Sequence, residues 1–374
     1  SHSISTVQAP PDFLGDRTLL EEARSRVDKA WEALELGRKA ERFELLPPQA
    51  SLRRYARLSR GEVSLLAMIM PLGTGPEEIG GGGGADAFLS VQSYLEEGGV
   101  SVPAVYGYDR SHEVLFLEDL GTWTLEAGLG SSELPEGREP RWSELSYAYE
   151  QSVDLLVALK KATAGGLELP GPWQGRRFDR ELLTGEWEHF VEYLLVEGAG
   201  RRDLADDSRV VEAGESLVNS ILKMPYCWTH RDYQSRNLMV ADRGLVVIDF
   251  QDALAGPDVY DLVALLRDSY VELPEALLLE LIERYYNGLA SAELAQGSLE
   301  EFTTRFWLVS LHRKAKDAGR FVYIDRVKGN PDFLQSIPAS LGYLRTALSY
   351  LKGYEELAEA LEPIWGCADF SKQG

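Results

Sequence analysis

Near the middle of the chain, side chains that can bind a proton or a metal ion stand at fixed spacing on a loop and on the segment after it. His230, Arg231 and Asp232 are followed by Asn237, and an apolar segment of β character then leads to Asp249. An Asp carboxylate can accept the proton of an attacking hydroxyl, and Asn and Asp oxygens are hard ligands suited to Mg²⁺. Asp and Asn also favour turns, which explains each residue singly but not their joint spacing. The spacing therefore predicts a catalytic loop followed by a β-hairpin.

The same order, HRDxxxxN and then DF, is typical of protein kinases, which carry Gly where this chain has Gln251. In that chemistry the loop Asp acts as the base toward the acceptor hydroxyl, while the Asn and the second Asp hold magnesium on the ATP phosphates. We therefore predict Asp232 as the catalytic base, Asn237 and Asp249 as Mg²⁺ ligands, and ATP as the phosphoryl donor.

The pattern of elements divides the chain into a β-rich first part and a helical second part. With 374 residues the chain is long enough for two lobes. Helices are predicted at 19–36 and 86–97, and strands at 41–46, 52–59, 62–70 and 114–117. Further helices are predicted at 145–163, 186–196, 210–222, 260–269, 275–288, 299–318 and 337–361. The glycine run at 80–84 lacks the spacing of a phosphate-binding loop and is interpreted as a flexible linker.

These elements indicate an α+β, bilobal protein kinase-like fold with a β-rich N-lobe and a helical C-lobe. Residues 1–117 are predicted to form the nucleotide-side lobe. Residues 118–374 are predicted to carry the catalytic loop, the metal ligands and the acceptor site, with ATP between the lobes.

Composition limits the partners and the compartment. The net charge of −22 opposes binding to nucleic-acid phosphates and to anionic membranes. No apolar stretch has the length of a membrane helix, and the first residues lack a signal-peptide pattern. Two cysteines cannot make a disulfide framework. We therefore expect a cytoplasmic protein that binds neither nucleic acid nor membrane; the oligomeric state stays open.

Several stretches resemble the aminoglycoside phosphotransferase and choline kinase-like superfamily. They are ASLRRY at 50–55, HRDYQSRNLM at 230–239, DFQDA with GP and YDL between 249 and 262, LLRDSY at 265–270, and the basic pattern around Arg313 and Lys316. Within this superfamily the chain is most similar to bacterial cell-wall-recycling kinases that phosphorylate the anomeric hydroxyl of N-acetylmuramate and N-acetylglucosamine. The resemblance implies an amino-sugar kinase and covers about residues 51–351.

The resemblance also implies roles for matching residues. Backbone groups from Glu118 to Leu120 would meet the adenine, and Asp261 would brace the catalytic loop. Arg236 and Asp252 would lie near the acceptor hydroxyl, although bracing of the loop is an alternative for both.

Two pairs of basic residues complete the predicted site. Protein kinases place a Lys on the third strand against the ATP phosphates, but segment 66–71 has none. Arg53 or Arg54 is the predicted replacement, with a surface arginine as the alternative. Arg313 and Lys316 share a predicted helix face and would meet an acyl-sugar carboxylate or an ATP phosphate, or else form a solvated basic face.

Two other functions stay open at this point. One is a kinase for an aminoglycoside or an amino alcohol. The other is a non-catalytic, nucleotide-binding pseudokinase, which the missing strand Lys favours and the intact Asp232, Asn237 and Asp249 oppose.

Overall fold

The structure, a computed structural model, describes residues 12–47, 53–72, 84–132, 134, 138–367 and 370. Two compact units are present. The first holds the described residues up to Ser90 together with Val102–Gly121, and the second holds Val91–Ser101 and the described residues from Thr122 onward. Residues 80–83 of the glycine run and residue 52 of the strand predicted at 52–59 lie outside the described residues.

The first unit is built on a five-stranded antiparallel sheet. Its elements are α1 (Asp12–Ala33), β1 (Arg42–Leu45), β2 (Arg54–Arg60), β3 (Val63–Ile69), α2 (Ala85–Glu97, divided between the two units), β4 (Val105–Asp109) and β5 (Val114–Glu118). The strand order is β1-β2-β3-β5-β4, with antiparallel pairing throughout. The four predicted strands are confirmed, whereas the sequence pattern does not predict β4.

Helix α1 covers one face of this sheet. Ala23, Val27 and Ala30 recur at helical spacing and are buried. They form one apolar cluster with strand residues Ala56, Leu58, Ala67, Ile69, Val114 and Phe116. Side chains alternate across a strand, so the residues between these, such as Arg57 and Met68, belong to the opposite face. The sheet therefore has one face occupied by α1 and a second face with its own polar side chains.

The second unit is mainly helical and contains two small antiparallel sheets. β6 (Tyr226–Thr229) pairs with β9 (Leu254–Pro257), and β7 (Leu238–Ala241) pairs with β8 (Gly244–Val247). The helices are α3 (Leu125–Gly128), α4 (Leu145–Ala162), α5 (Arg180–His189), α6 (Ser208–Leu222), α7 (Tyr260–Leu266), α8 (Glu275–Ser291), α9 (Leu299–Lys328), α10 (Ile337–Tyr350) and α11 (Glu355–Leu361), with a π-helix at Phe190–Gly198. The predicted α+β class, with a β-rich first part and a helical second part, is confirmed. No helix among the described residues is both long and apolar enough to cross a bilayer.

Helix α9 is the longest helix in the described part of the chain and contacts α5, α7, α8, α10 and the π-helix. A capping box starts it: the Glu301 backbone N–H donates to Ser298 Oγ at 3.2 Å, and the Ser298 N–H donates to the Glu301 carboxylate at 2.7 Å. It ends at Lys328 and is capped by Gly329, whose φ of +71° suits a residue without a Cβ. This packed helix carries Arg313 and Lys316, and so fixes their positions.

The helices differ from the prediction at their boundaries. The single helix predicted at 337–361 is two helices, because Gly353 adopts φ +87° in the turn between α10 and α11. Buried Leu348, Leu351 and Leu357 continue the apolar pattern across this turn, so periodicity does not reveal the break. The helix predicted at 299–318 continues to Lys328, and the one predicted at 19–36 starts at Asp12 and ends at Ala33.

Candidate active site

The HRD run forms a loop that leaves a buried strand. It starts where β6 ends at Thr229 and finishes in a short 3-10 helix at Ser235–Asn237. β6 pairs with β9, and the Thr229 hydroxyl donates to the Leu254 carbonyl at 2.7 Å. The loop that carries Asp232 is therefore anchored at its entrance by a paired and buried strand.

The β7–β8 hairpin brings the predicted metal ligands to one place. Leu238 at the start of β7 pairs with Val247 at the end of β8. Just outside this pair, the Ile248 N–H donates to the Asn237 carbonyl at 3.0 Å. Asp249 follows Ile248 directly, so Asn237 and Asp249 both lie at the open end of the hairpin.

Asp261 holds the backbone of the catalytic loop. Its carboxylate accepts from the N–H groups of His230 and Arg231, each at 2.9 Å, and from the Lys160 ammonium at 2.6 Å. The Asp261 side chain is fully buried and Lys160 is 5% exposed, so the two charges compensate each other away from water. Arg231 has φ +81°, which L-residues rarely adopt, and Asp261 stabilises that turn. These contacts are the brace that the family resemblance implies.

His230 links the loop to the hairpin. Its Nε2 donates to the Ile248 carbonyl at 2.8 Å, while Nδ1 accepts from the Asp232 backbone N–H at 3.2 Å. The two contacts fit a neutral ring with its proton on Nε2. Because His230 is fully buried, its part in the loop is positional.

The Asp232 carboxylate lies beside a buried cation. Arg313 Nη2 donates to Asp232 Oδ1 at 3.2 Å, and Nη1 donates to the Arg231 carbonyl at 2.9 Å and to Tyr260 Oη at 3.0 Å. The Asp232 side chain is 38% exposed, against 4% for Arg313. Burial alone would raise the pKa of Asp232, but nearby cations, first Arg313 and then Lys316, outweigh it and hold the pKa below its usual range. Asp232 is therefore ionised at neutral pH and accessible from solvent.

Asp317 on α9 lies close to three cationic side chains of the same helix. The Asp317 carboxylate lies 2.9 Å from Lys314 Nζ, 3.2 Å from Lys316 Nζ and 4.0 Å from Arg313 Nε. Burial opposes ionisation of Asp317, but these cations hold its pKa well below the usual range. The Lys316 side chain is 22% exposed, whereas those of Lys314 and Arg313 are 1% and 4% exposed. Of these cations, Lys316 is the one most accessible to a ligand.

The side chains at the open end of the hairpin are held in place by neighbours. Asn237 Nδ2 donates to the Asp232 carbonyl at 2.8 Å, which fixes the amide. Asp249 has φ +59°, and its Oδ1 accepts from the buried Gln251 Nε2 at 2.6 Å. The described residues contain no group of three or more His, Cys, Asp and Glu arranged for a metal. An amide oxygen and one carboxylate still fit Mg²⁺, which usually takes one or two carboxylates and completes its shell with water and phosphate oxygens.

The two predicted acceptor contacts have partners within the second unit. Arg236 donates to both carboxylate oxygens of Glu126, at 2.6 and 3.2 Å, and its guanidinium lies 3.3 Å from the Tyr270 ring centroid. Asp252 is 3.9 Å from an Arg176 nitrogen. The side chains of Arg236 and Asp252 are 45% and 24% exposed, so each is braced yet accessible.

Arg53 and Arg54 belong to opposite faces of the first unit's sheet. Arg54 pairs with Ile69, a member of the cluster beneath α1, and therefore lies on the α1 face. Arg53, one residue before β2, continues the alternation on the other face with Tyr55 and Arg57. Arg53 is 5% exposed, and its buried Nε has no hydrogen-bond partner among the described residues. A buried polar atom without a partner is costly, so Arg53 is the better placed of the two to receive a ligand.

The segment predicted to meet adenine is anchored to the sheet. Glu118 ends β5, and its backbone N–H donates to the Ala104 carbonyl at 2.9 Å. Leu120 is 8% exposed. Between them, Asp119 accepts two hydrogen bonds from Arg57, at 2.6 and 3.2 Å. Burial would raise the pKa of Asp119, but the bonds from Arg57 help to hold it below the usual range.

The sequence pattern does not predict two ion pairs that the structure shows, Arg57 with Asp119 and Lys160 with Asp261. Arg57 and Asp119 are 62 residues apart, and no local pattern predicts that they meet. Lys160 did carry a signal: it follows Val153 and Leu156 at helical spacing on the buried stripe of α4. A lysine in such a stripe is rarely buried unless it is paired, which points to a buried acid as its partner.

The fold and the loop together define a class of enzyme. An ionised carboxylate held by a buried arginine, near an amide and a second carboxylate at the open end of a hairpin, suits a phosphotransferase that acts on a hydroxyl. Residues 42–295 match the phosphotransferase enzyme family, and the chain belongs to this family. It is a phosphotransferase enzyme.

Individual relatives agree with this class. The chain is 31% identical over 328 residues to the N-acetylmuramate/N-acetylglucosamine kinase of Pseudomonas aeruginosa, covering 86% of this chain and 88% of the relative. It is 31% identical over 313 residues to the kinase of the same name from Neisseria meningitidis serogroup B, covering 83% and 85%. The fold is similar to a choline/ethanolamine kinase family protein from Mesorhizobium loti, with a TM-score of 0.57 at 13% identity, covering 91% of this chain and 99% of that one.

Proposed function

We propose that this enzyme is an ATP- and magnesium-dependent kinase that phosphorylates a hydroxyl of an amino sugar, N-acetylmuramate or N-acetylglucosamine. The observation that carries the proposal is the convergence of Asp232, Asn237 and Asp249 around one hairpin. It occurs in a chain that is 31% identical, over 86% of its length, to a kinase named for these sugars. The acceptor hydroxyl proposed from the family resemblance is the anomeric one.

Asp232 is proposed to accept the proton of the acceptor hydroxyl as the γ-phosphoryl group is transferred. Its lowered pKa keeps it ionised at neutral pH, and its exposed fraction lets a sugar hydroxyl approach. A base of low pKa suits phosphoryl transfer, because positioning and charge stabilisation contribute most of the catalysis. Arg313 and the backbone contacts of Asp261 keep the carboxylate in position.

Asn237 and Asp249 are proposed to hold the magnesium ion through their side-chain oxygens. A bound Mg²⁺ supplies positive charge against the ATP phosphates. Gln251 donates to one Asp249 oxygen, which leaves the other oxygen for the metal. This contact gives a role to Gln251, which stands where protein kinases carry Gly.

The cations divide into three proposed roles. Arg313 acts on Asp232, because its guanidinium is buried, donates twice to the loop and is held by a third bond to Tyr260 on α7. Lys316 is the better candidate for the lactyl carboxylate of N-acetylmuramate or for an ATP phosphate, because it is more exposed. Arg53 is proposed to meet the ATP phosphates in place of the missing strand Lys.

The remaining predicted contacts stay proposals. Glu118 and Leu120 would present backbone groups to adenine. The backbone N–H of Glu118 already donates to the Ala104 carbonyl. The groups proposed to meet adenine are therefore the Glu118 carbonyl and the Leu120 N–H. Arg236 and Asp252 would contact the acceptor, with their partners Glu126 and Arg176 setting their positions.

The test is an ATP-consumption assay with wild type and Asp232→Ala over a panel of N-acetylmuramate, N-acetylglucosamine, kanamycin, choline and ethanolamine. We expect turnover on at least one amino sugar, loss of that turnover in the variant, and a sugar 1-phosphate identified by phosphorus and proton NMR. Activity on kanamycin or an amine alone would move the acceptor class to the aminoglycoside or amino-alcohol alternative. Phosphate on another hydroxyl would reject the anomeric assignment.

A further inference from the structure

A cavity of about 370 Å³ lies beside β6, the strand that leads into the catalytic loop. Residues of α4, β6 and α8 contribute to it, together with the segments around them. Its lining includes Lys160, Cys227, Trp228, Asp258, Tyr285 and Leu289. Neither Asp232 nor either proposed metal ligand lines it, so the cavity is separate from the candidate active site. Exposed Gly165 and Glu168 also line it, which gives a small molecule access from solvent.

Two hydrogen-bonding side chains of this cavity are buried without a partner among the described residues. They are Trp228, through Nε1, and Tyr285, through Oη. Trp228 is 1% exposed and Tyr285 is fully buried. An unsatisfied buried donor costs free energy, and an indole N–H can only donate. Both atoms are covered in this structure, so a ligand that supplies a hydrogen-bond acceptor reaches them through a shift of the lining, and it then relieves a cost already present in the fold.

The buried charges around the cavity, Lys160 and Asp258, each have a partner of opposite charge. Lys160 pairs with Asp261 at 2.6 Å, and Asp258 pairs with Arg305 at 2.7 Å. Leu289 and other leucines supply apolar lining. A neutral ligand avoids adding an uncompensated charge at such a place. Volume, donors and apolar lining together fit a small uncharged molecule with a carbonyl acceptor and an apolar body.

The cavity is connected to the catalytic loop by two hydrogen-bonded links. Lys160 Nζ donates to the Trp228 carbonyl at 2.8 Å and to the Asp261 carboxylate at 2.6 Å. Asp261 in turn accepts from the backbone N–H groups of His230 and Arg231. A shift of Trp228 therefore reaches the backbone that positions the catalytic loop.

We propose that this cavity is a second binding site, for a small uncharged carbonyl compound, and that its occupancy acts on the catalytic loop through Lys160 and Asp261. Binding at this cavity does not depend on which sugar is the acceptor. Its effect on turnover rests on the proposed function, so binding and turnover are measured separately.

Binding is tested with acetanilide, which joins an amide carbonyl to a phenyl ring, and with n-propylbenzene, which has no acceptor. Amide NMR of the full chain follows the indole N–H that disappears in Trp228→Phe. We expect acetanilide to shift this signal to saturation and n-propylbenzene to leave it in place. An unmoved signal up to the solubility limit of acetanilide overturns the site, and equal shifts with both compounds overturn the carbonyl requirement.

A matched pair of tyrosines supplies a second measurement that needs no Trp228 variant. Tyr285→Phe removes the unpartnered hydroxyl, whereas Tyr286→Phe removes a hydroxyl that bonds the Gly297 carbonyl at 2.9 Å. In calorimetry we expect Tyr285→Phe to weaken acetanilide about 2- to 12-fold, the effect of one hydrogen bond, and Tyr286→Phe to leave it unchanged. Equal affinities in all three proteins would remove Tyr285 from the site.

Coupling is tested by kcat at saturating ATP and acceptor. We expect kcat to change with acetanilide occupancy in wild type and in Tyr286→Phe. In Tyr285→Phe the same change in kcat should require a higher acetanilide concentration. Occupancy that leaves kcat constant would overturn the link to the loop while leaving the binding result intact. Absence of any basal turnover would count against the proposed function and not against the cavity.

Discussion

The catalytic loop of the second unit and the sheet of the first unit hold their charged groups in different ways. In the loop, Asp261 accepts from the backbone N–H groups of His230 and Arg231, and Arg313 donates to the Asp232 carboxylate. In the sheet, Arg57 is paired with Asp119, but Arg53 is buried with its Nε unpaired among the described residues. The loop is thus organised in advance, whereas the sheet retains a cation that a ligand can satisfy.

This difference predicts where substitutions act. We propose that groups of the loop stabilise the reacting centre, so their loss should lower kcat. We propose that Arg53 of the sheet only binds, so its loss should raise the KM of one substrate. Each experiment below tests one side of this division.

The largest effect is expected from Asp232→Ala. Removal of a general base typically lowers the rate about 10²- to 10⁴-fold, so we expect kcat to fall at least about 10²-fold. ATP affinity by calorimetry and the thermal midpoint should stay close to wild type, because the Asp232 side chain is partly exposed. The control is Asp332→Ala on the surface of the second unit. Near-normal turnover in Asp232→Ala would show that Asp232 is not the catalytic base. It would also remove the proposed difference between the loop and the sheet.

Arg313→Met should have the next largest effect. Loss of a hydrogen bond between charged groups costs about 1.5–3 kcal/mol, so kcat/KM should fall roughly 10- to 100-fold. If Arg313 acts on Asp232, kcat/KM should fall equally for both sugars. Lys316→Met is the matched comparison, because the two cations lie on one helix and share Asp317. If Lys316 meets the lactyl carboxylate, its loss affects N-acetylmuramate more than N-acetylglucosamine. The reverse pattern would return the carboxylate contact to Arg313.

The pH profile separates an electrostatic role of Arg313 from a packing role. The pKa of Asp232 is lowered by nearby cations, so activity is retained until the pH falls below the usual range of Asp. Arg313→Met removes the nearest of these charges and raises that pKa. The acid limb of the kcat/KM profile should therefore move to higher pH. An unmoved limb would show that Arg313 does not set the protonation of Asp232.

The sequence predicted the parts of the site that are close in the chain. Asp232, Asn237 and Asp249 fall within one loop and one hairpin, so spacing alone brings them together. The pairing of Arg57 with Asp119 depends on how distant segments join one sheet, and no local pattern reports it.

Arg313 is a second case in which a local sequence pattern does not report a tertiary contact. Its place on a helix face with Lys316 was correct, since both lie on α9. Which of the two is buried depends on the packing of α9 against α7, where Tyr260 receives one Arg313 hydrogen bond. Periodicity gives the face of a helix, whereas the neighbour of that face comes only from the tertiary fold.

Gln251→Leu tests how the metal ligand is held. A group that orients a metal ligand is typically worth 10- to 100-fold in metal affinity or activity. We expect the lower end, about tenfold, in the Mg²⁺ concentration for half-maximal turnover, because one Asp249 oxygen stays untouched. Gln234→Leu on the catalytic loop, a second glutamine near the site, is the control. An equal Mg²⁺ requirement in both variants and wild type would leave Asp249 oriented by its backbone alone.

The smallest effect, and the one that tests the sheet directly, is expected from Arg53. The two neighbouring arginines lie on opposite faces, so Arg53→Met and Arg54→Met form a matched pair that differs only in the face affected. If the face opposite α1 receives the ATP phosphates, Arg53→Met should raise the KM for ATP roughly two- to tenfold, about the effect of one hydrogen bond. Its kcat and its KM for the sugar should hardly change, because the group only binds. Arg54→Met should leave all three values near wild type. A rise in the KM for ATP in Arg54→Met alone would place the phosphates on the α1 face. A fall in kcat without a change in KM for Arg53→Met would mean that the sheet, like the loop, acts in the chemical step.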